Sequence, residues 1–198
     1  MARQRGPVLN SFSVAALASI ALLAAGCGPK PPTPTVNASM TQVIAPQTQT
    51  IWDITNRAIN AKGDGLDGSK ISPNEWVKVE KAALSLSRRA HVLAESRGIV
   101  AAGDDEIIMG GDAAGAPSGI GHTWDAASAK QVQAFIDAKP ALFAERARIL
   151  ARSADTMVWA ARTKDARALH RETSGMDEVC DGCHVTFWGT DENPPFPD

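Results

Sequence analysis

The 198-residue chain is short of the features that usually place a protein at once. It has three cysteines, no tyrosine, 5% aromatic residues, and 20 Lys and Arg against 22 Asp and Glu. Three cysteines are too few for a small fold built on disulfides. A formal charge of −2 gives no support to a general nucleic-acid binder, which would need a basic surface to displace phosphate counterions. The one conspicuous apolar run, Phe12 to Ala25, is too short to span a bilayer comfortably. What the chain does have is alanine-rich sequence and a 44% apolar fraction, enough for a buried core and suited to closely packed helices.

The first 26 residues read as an address rather than as part of the fold. Arg3 and Arg5 precede the apolar run, which ends in Leu22-Leu23-Ala24-Ala25-Gly26-Cys27. This resembles the bacterial lipoprotein signal, in which the cysteine is acylated and becomes the first mature residue. It departs from the usual pattern in having Ala24, not leucine, three places before Cys27. A transmembrane anchor and a soluble secreted form are the rival readings. Cleavage before Cys27 leaves 18 basic and 22 acidic residues, a net charge of −4. Residues 27–38 then form a tether, stiffened by Gly28-Pro29-Lys30-Pro31-Pro32-Thr33-Pro34-Thr35. The resemblance implies a periplasm-facing protein held to a membrane by lipid, with Gly28 leaning toward the outer membrane.

Apolar spacing predicts helices along residues 39–190. Ser72-Pro73-Asn74-Glu75 is a helix start, followed by Trp76, Val79, Ala83, Leu86, Ala90 and Leu93 at steps of three and four, with Gly98 as the stop. Pro140 starts another, with Phe143, Ala147, Leu150, Ala154, Met157 and Ala161 on its seam, and a shorter helix over 127–138 precedes it. A last helix over 165–188 places Ala166, Leu169, Thr173, Met176, Cys180, Cys183 and Phe187 on one seam. The first helix, over 39–61, is less regular: Ile44, Ile51, Ile54 and Ala58 fit, but Pro46 requires a start or a kink there. Three seams with this rhythm argue for an all-α fold, an antiparallel four-helix bundle. Residues 98–124, rich in glycine, make a long cover or crossover, and 191–198 a frayed tail.

The chemistry lies in Cys180-Asp181-Gly182-Cys183-His184, a C-x-x-C-H sequence, the attachment signal for c-type haem. Two thiols add across the haem vinyl groups and the next histidine reaches the iron. At 100° per residue, Cys183 lies −60° and His184 +40° from Cys180, so all three project from one helix face, the apolar seam. A thiol–disulfide redox pair usually sits at a helix start after a strand, and this one lies near a helix end with no strand pattern nearby. A structural zinc site needs four ligands, and there is no second C-x-x-C.

With this motif near the end of a last helix, followed by Phe187 and Trp188, residues 39–188 resemble class II c-type cytochromes, the cytochrome c′ group. The 98–124 region is longer than the family norm, and the lipid anchor is not part of its usual soluble form. The resemblance implies one covalent haem c on Cys180 and Cys183, His184 as proximal iron ligand, and Met176 and Phe187 packing against the ring. It also implies that function turns on the sixth iron position. Met40, the only methionine of the first helix, is the candidate distal ligand. Met157, like Met176, falls on a seam and is a haem-wall or core residue, Met109 lies in the glycine-rich region, and His91, His122 and His170 are not expected to bind iron. Arg57, Arg88, Arg89 and Arg162 are the candidate partners of the haem carboxylates. The expected function is non-enzymatic electron transfer between periplasmic redox partners. The alternative is a high-spin haem module binding NO or CO at an open distal site. Homodimers are common in the family.

Overall fold

The computed structural model describes residues 34–103, 108 and 128–188. The protein is all-α. Among the described residues there is no strand, only an isolated antiparallel bridge between Ile59 and Leu66. The expected signal segment, Cys27 and the tail 191–198 lie outside the described residues, as does most of the glycine-rich region.

The first helical run starts at Val36, inside the segment read as tether. Its parts are α1 (Val36–Ser39), a π-helical turn (Met40–Ile44) and α2 (Ala45–Arg57). The Thr35 hydroxyl accepts the Ala38 N–H at 3.0 Å. The Val36 and Asn37 N–H groups, which a helix start leaves without partners, donate to the Val100 and Ala101 carbonyls at 2.9 and 2.8 Å. These long-range bonds explain why the helix begins earlier than local sequence predicts. Pro46 neither starts the run nor ends it. A proline lacks an N–H, and its ring presses on the carbonyl four residues back, here that of Gln42. The π turn sits just ahead of it: Ala45 donates its N–H five residues back, to Met40, and the wider turn accommodates the ring without ending the helix. α2 stops at Arg57, earlier than expected, where the chain turns through Gly63 (φ 77°) into the Ile59–Leu66 bridge.

α3 (Pro73–Glu95) begins as its sequence predicts. Ser72 and Glu75 form a reciprocal cap, with the Ser72 N–H donating to Glu75 Oε2 at 2.9 Å and the Glu75 N–H to Ser72 Oγ at 3.3 Å. α4 (Ala129–Ala138) uses the same device with Ser128 and Gln131, and Pro140 opens α5 (Pro140–Thr163). Every seam residue named above for α3 and α5 is buried. These two helices share the largest interface in the fold, and their many alanines allow close approach. They run in opposite directions, because Glu80 pairs with Arg162 while Ser87, further along α3, bonds Asp155, earlier on α5. Among the described residues no helix is long and apolar enough to cross a membrane.

The last predicted helix is two. Lys164 turns through the left-handed region (φ 54°) after α5, and Asp165 caps α6 (Ala166–Ser174). Gly175 then separates α6 from α7 (Met176–Phe187). Glycine weakens a helix interior, and here the break falls one turn ahead of the Cys180–His184 motif. α6 and α7 both pack on α5, and α4 packs on α7.

Candidate haem-attachment site

The motif occupies the middle and last turn of α7. Cys180 and Cys183 are free thiols, both half-buried. Cys183, His184, Phe187 and Trp188 form one wall of a cavity of about 40 Å³. Phe143 of α5 completes that wall, its ring meeting Phe187 edge-to-face at 5.3 Å. The opposite end of the described chain supplies the other wall: Val36, Asn37 and Met40, with Ala101, Ile108, Val132 and Ile136. Met40 and His184, the two candidate iron ligands, therefore line the same largely apolar space. Cys180 packs against the core one turn before Cys183.

A short segment after α3 holds the Met40 wall in place. Gln133 of α4 accepts the Ala101 N–H at 2.7 Å and donates to the Ile99 carbonyl at 3.0 Å. Since Val100 and Ala101 also receive the first N–H groups of α1, residues 99–101 connect α1 to α4 through hydrogen bonds at both edges.

Burial controls the ionisation of the motif. It pushes the Cys180 thiol up to about 12, helped by the Asp177 carboxylate, the neighbouring Cys183 and Asp181. It pushes Cys183 up to about 11, against the opposing pull of the Arg146 guanidinium. These thiols are the reverse of a redox pair, whose nucleophilic cysteine needs a depressed pKa. Burial also lowers the His184 pKa, with Asp181 acting against it. The imidazole is thus kept neutral, the form that binds metal.

The donor set suits a covalent haem: two neutral thiols and a neutral imidazole from one helix, with a thioether across the same apolar space. The volume does not yet suit it, since 40 Å³ holds about one water. A haem would enter this space only with the walls moved apart, and on one side α1 is held to residues 100 and 101 by two backbone bonds. Among the described residues no group of three or more His, Cys, Asp or Glu side chains is placed to hold a bare metal ion.

The other candidates separate clearly. Phe187 lines the cavity, whereas Met176 is 1% exposed in the core and lies outside the lining. Met157 is fully buried in the α3–α5 core. His91 bonds Asp155 at 3.2 Å on an exposed face, and His170 lies against Ser174 at 3.3 Å. His122 and Met109 fall outside the described residues. None of the four arginines picked from sequence lines the cavity. Arg57 pairs with Glu75, Arg162 with Glu80, and Arg89 reaches Ser39 Oγ at 3.4 Å; Arg88 and Arg89 border a separate open groove between the π turn and α3.

The cation beside the motif is instead Arg146, one turn after Phe143 on α5. Its Nη1 lies 3.4 Å from where a side chain on Gly182 would begin, and its Nε is buried without a hydrogen-bond partner. Helical spacing from Phe143 places Arg146 on a face next to the α5 seam, but nothing local marks which helix that face meets. Comparison with family models, curated proteins and solved structures returned no match to this chain.

Proposed function

We propose that the protein is a lipid-anchored monohaem c-type cytochrome that carries electrons between extracytoplasmic partners. In this reading α2, α3, α5 and the α6–α7 run are the four members of an antiparallel bundle of the cytochrome c′ kind. Cys180 and Cys183 hold the haem covalently and His184 is the proximal iron ligand. The bound group supplies reversible one-electron chemistry at iron.

The observation that carries the reading is the shared cavity of Cys183, His184 and Met40. Residues remote in sequence bring an imidazole and a thioether to one apolar space, as a six-coordinate electron carrier requires. A His/Met pair raises the haem potential, and the apolar lining acts in the same direction by disfavouring the extra charge of ferric iron. Phe143 and Phe187 exclude water from the His184 side. In this reading no enzymatic step is assigned to the chain.

One feature favours the gas-binding alternative. The wall that carries Met40 also holds Val36, Ala101, Ile108, Val132 and Ile136, apolar side chains that would enclose a diatomic ligand without competing for iron, with Asn37 as its polar member. The absorption spectrum of the reduced protein with and without CO separates the two. A sharp low-spin α-band unchanged by CO supports the electron carrier. A broad high-spin spectrum converted by CO replaces that function with gas binding.

A further inference from the structure

Two nitrogen donors beside the motif are buried without partners, Arg146 Nε and Trp188 Nε1. They lie on opposite sides of His184 along α7. Arg146 is against Gly182, on the thiol side. Trp188 is one turn beyond His184, and its ring meets the imidazole edge-on, with centroids 5.4 Å apart and planes at 85°. A buried indole N–H with no acceptor is destabilising, and Trp188 is one of the side chains lining the cavity, so an acceptor brought into that space would satisfy it.

We propose that Trp188 donates its indole N–H to a haem carboxylate and acts as a positioning residue for the macrocycle. The inference rests on the haem reading above and adds to it a recognition contact made by this chain. Thioethers to Cys180 and Cys183 tie down the vinyl edge of a haem, and its carboxylates lie on the opposite edge. With His184 beneath the iron, a donor on the far side of His184 from the thiols points toward the carboxylate edge. The carboxylates are also the only hydrogen-bond acceptors on that periphery. Arg146, on the thiol side, is not so placed. The same indole packs on His184, so one side chain would orient both the ring edge and the proximal ligand.

The test uses the haem-loaded protein and the variant Trp188→Phe, which keeps an aromatic ring against His184 and removes only the N–H. Resonance Raman spectra of the reduced wild type should show a carboxylate-bending band that shifts when exchangeable hydrogens are replaced by deuterium. In Trp188→Phe that band should move and lose its deuterium sensitivity. The midpoint potential should fall, because the carboxylate regains its full negative charge. The CO stretch, if a CO complex forms, should stay where it is. A carboxylate band identical in wild type and variant overturns the proposal, as does a variant that shifts only the CO stretch, since the indole would then serve an iron-bound ligand. The deuterium experiment on the wild type stands even if the variant fails to fold. A wild type that carries no covalent haem overturns the functional reading itself, an outcome distinct from an unmoved band in a haem-loaded protein.

Discussion

Met40, at the first residue of the π turn, and His184, in the last turn of α7, line the same cavity from opposite ends of the described chain. A π turn widens a helix locally and is often found where a side chain has a task. Here it also absorbs Pro46. If Met40 takes the sixth iron position, Met40→Ala should convert a CO-insensitive low-spin spectrum into a high-spin one that responds to CO, with a lower midpoint potential. An unchanged spectrum in that variant removes Met40 from the iron.

The thiols give a pH prediction for the chain before haem attachment. Both folded-state pKa values, about 12 for Cys180 and about 11 for Cys183, lie above the ordinary value of 9.0. The folded state therefore keeps protons that the unfolded state loses. The stability involved is fully present below pH 9 and is lost as pH rises through 11 and 12. Thermal melts of haem-free protein should show this alkaline loss, and Cys180→Ser with Cys183→Ser should flatten it. At pH 8 both thiols should alkylate slowly, Cys183 before Cys180. Rapid alkylation of either at that pH would show a thiol activated for redox chemistry.

The α3 cap makes an acid-side prediction. Hydrogen bonds from the Ser72 backbone and hydroxyl, then from Arg57, hold the Glu75 carboxyl down to about 2. Its contribution is present above the ordinary carboxylate value of 4.5 and is lost as pH falls toward 2. Ser72→Ala should cost about 1 kcal/mol at neutral pH and weaken the acid dependence between those values. Denaturant titrations at several pH values read both effects.

Gln133 sits outside the motif and makes the third stability prediction. Its side-chain amide is bonded to both Ile99 and Ala101. Gln133→Ala should destabilise the protein by about 1–3 kcal/mol, because two partly buried backbone groups lose their partners. It should also loosen the Met40 wall, seen as faster amide exchange at Val36 and Asn37. Slow exchange there in the variant would mean that residues 99–101 hold α1 without help from α4.

How much of this was legible in the sequence depended on the range of the interaction involved. The seams of α3 and α5, from Trp76 to Leu93 and from Phe143 to Ala161, could be read because helical burial repeats every three to four residues. Ser72, Pro73 and Glu75 announced a helix start because caps are local. That Cys180, Cys183 and His184 share one face of the last helix followed from their spacing, and Cys183 and His184 do line one cavity; their haem chemistry belongs to the proposal. The early start of α1 was not legible, since it depends on carbonyls of Val100 and Ala101 far along the chain. Nor was the π turn, which resolves Pro46 by a five-residue bond that spacing alone does not suggest. Gly175 looked like one more interior residue of a continuous seam. Arg146 and Gln133 escaped because each acts across helices, through partners that no local pattern names. Helix capping by Lys164, without glycine, gave no signal at all.

The electron-carrier reading stands on a haem bonded to Cys180 and Cys183. That haem can be read from the mass of the peptide containing residues 180–184, taken from protein purified from its native cells. This peptide should carry one haem through two thioether bonds and absorb in the Soret region. A peptide without the haem mass, with both cysteines as free thiols or as a disulfide, would overturn that reading.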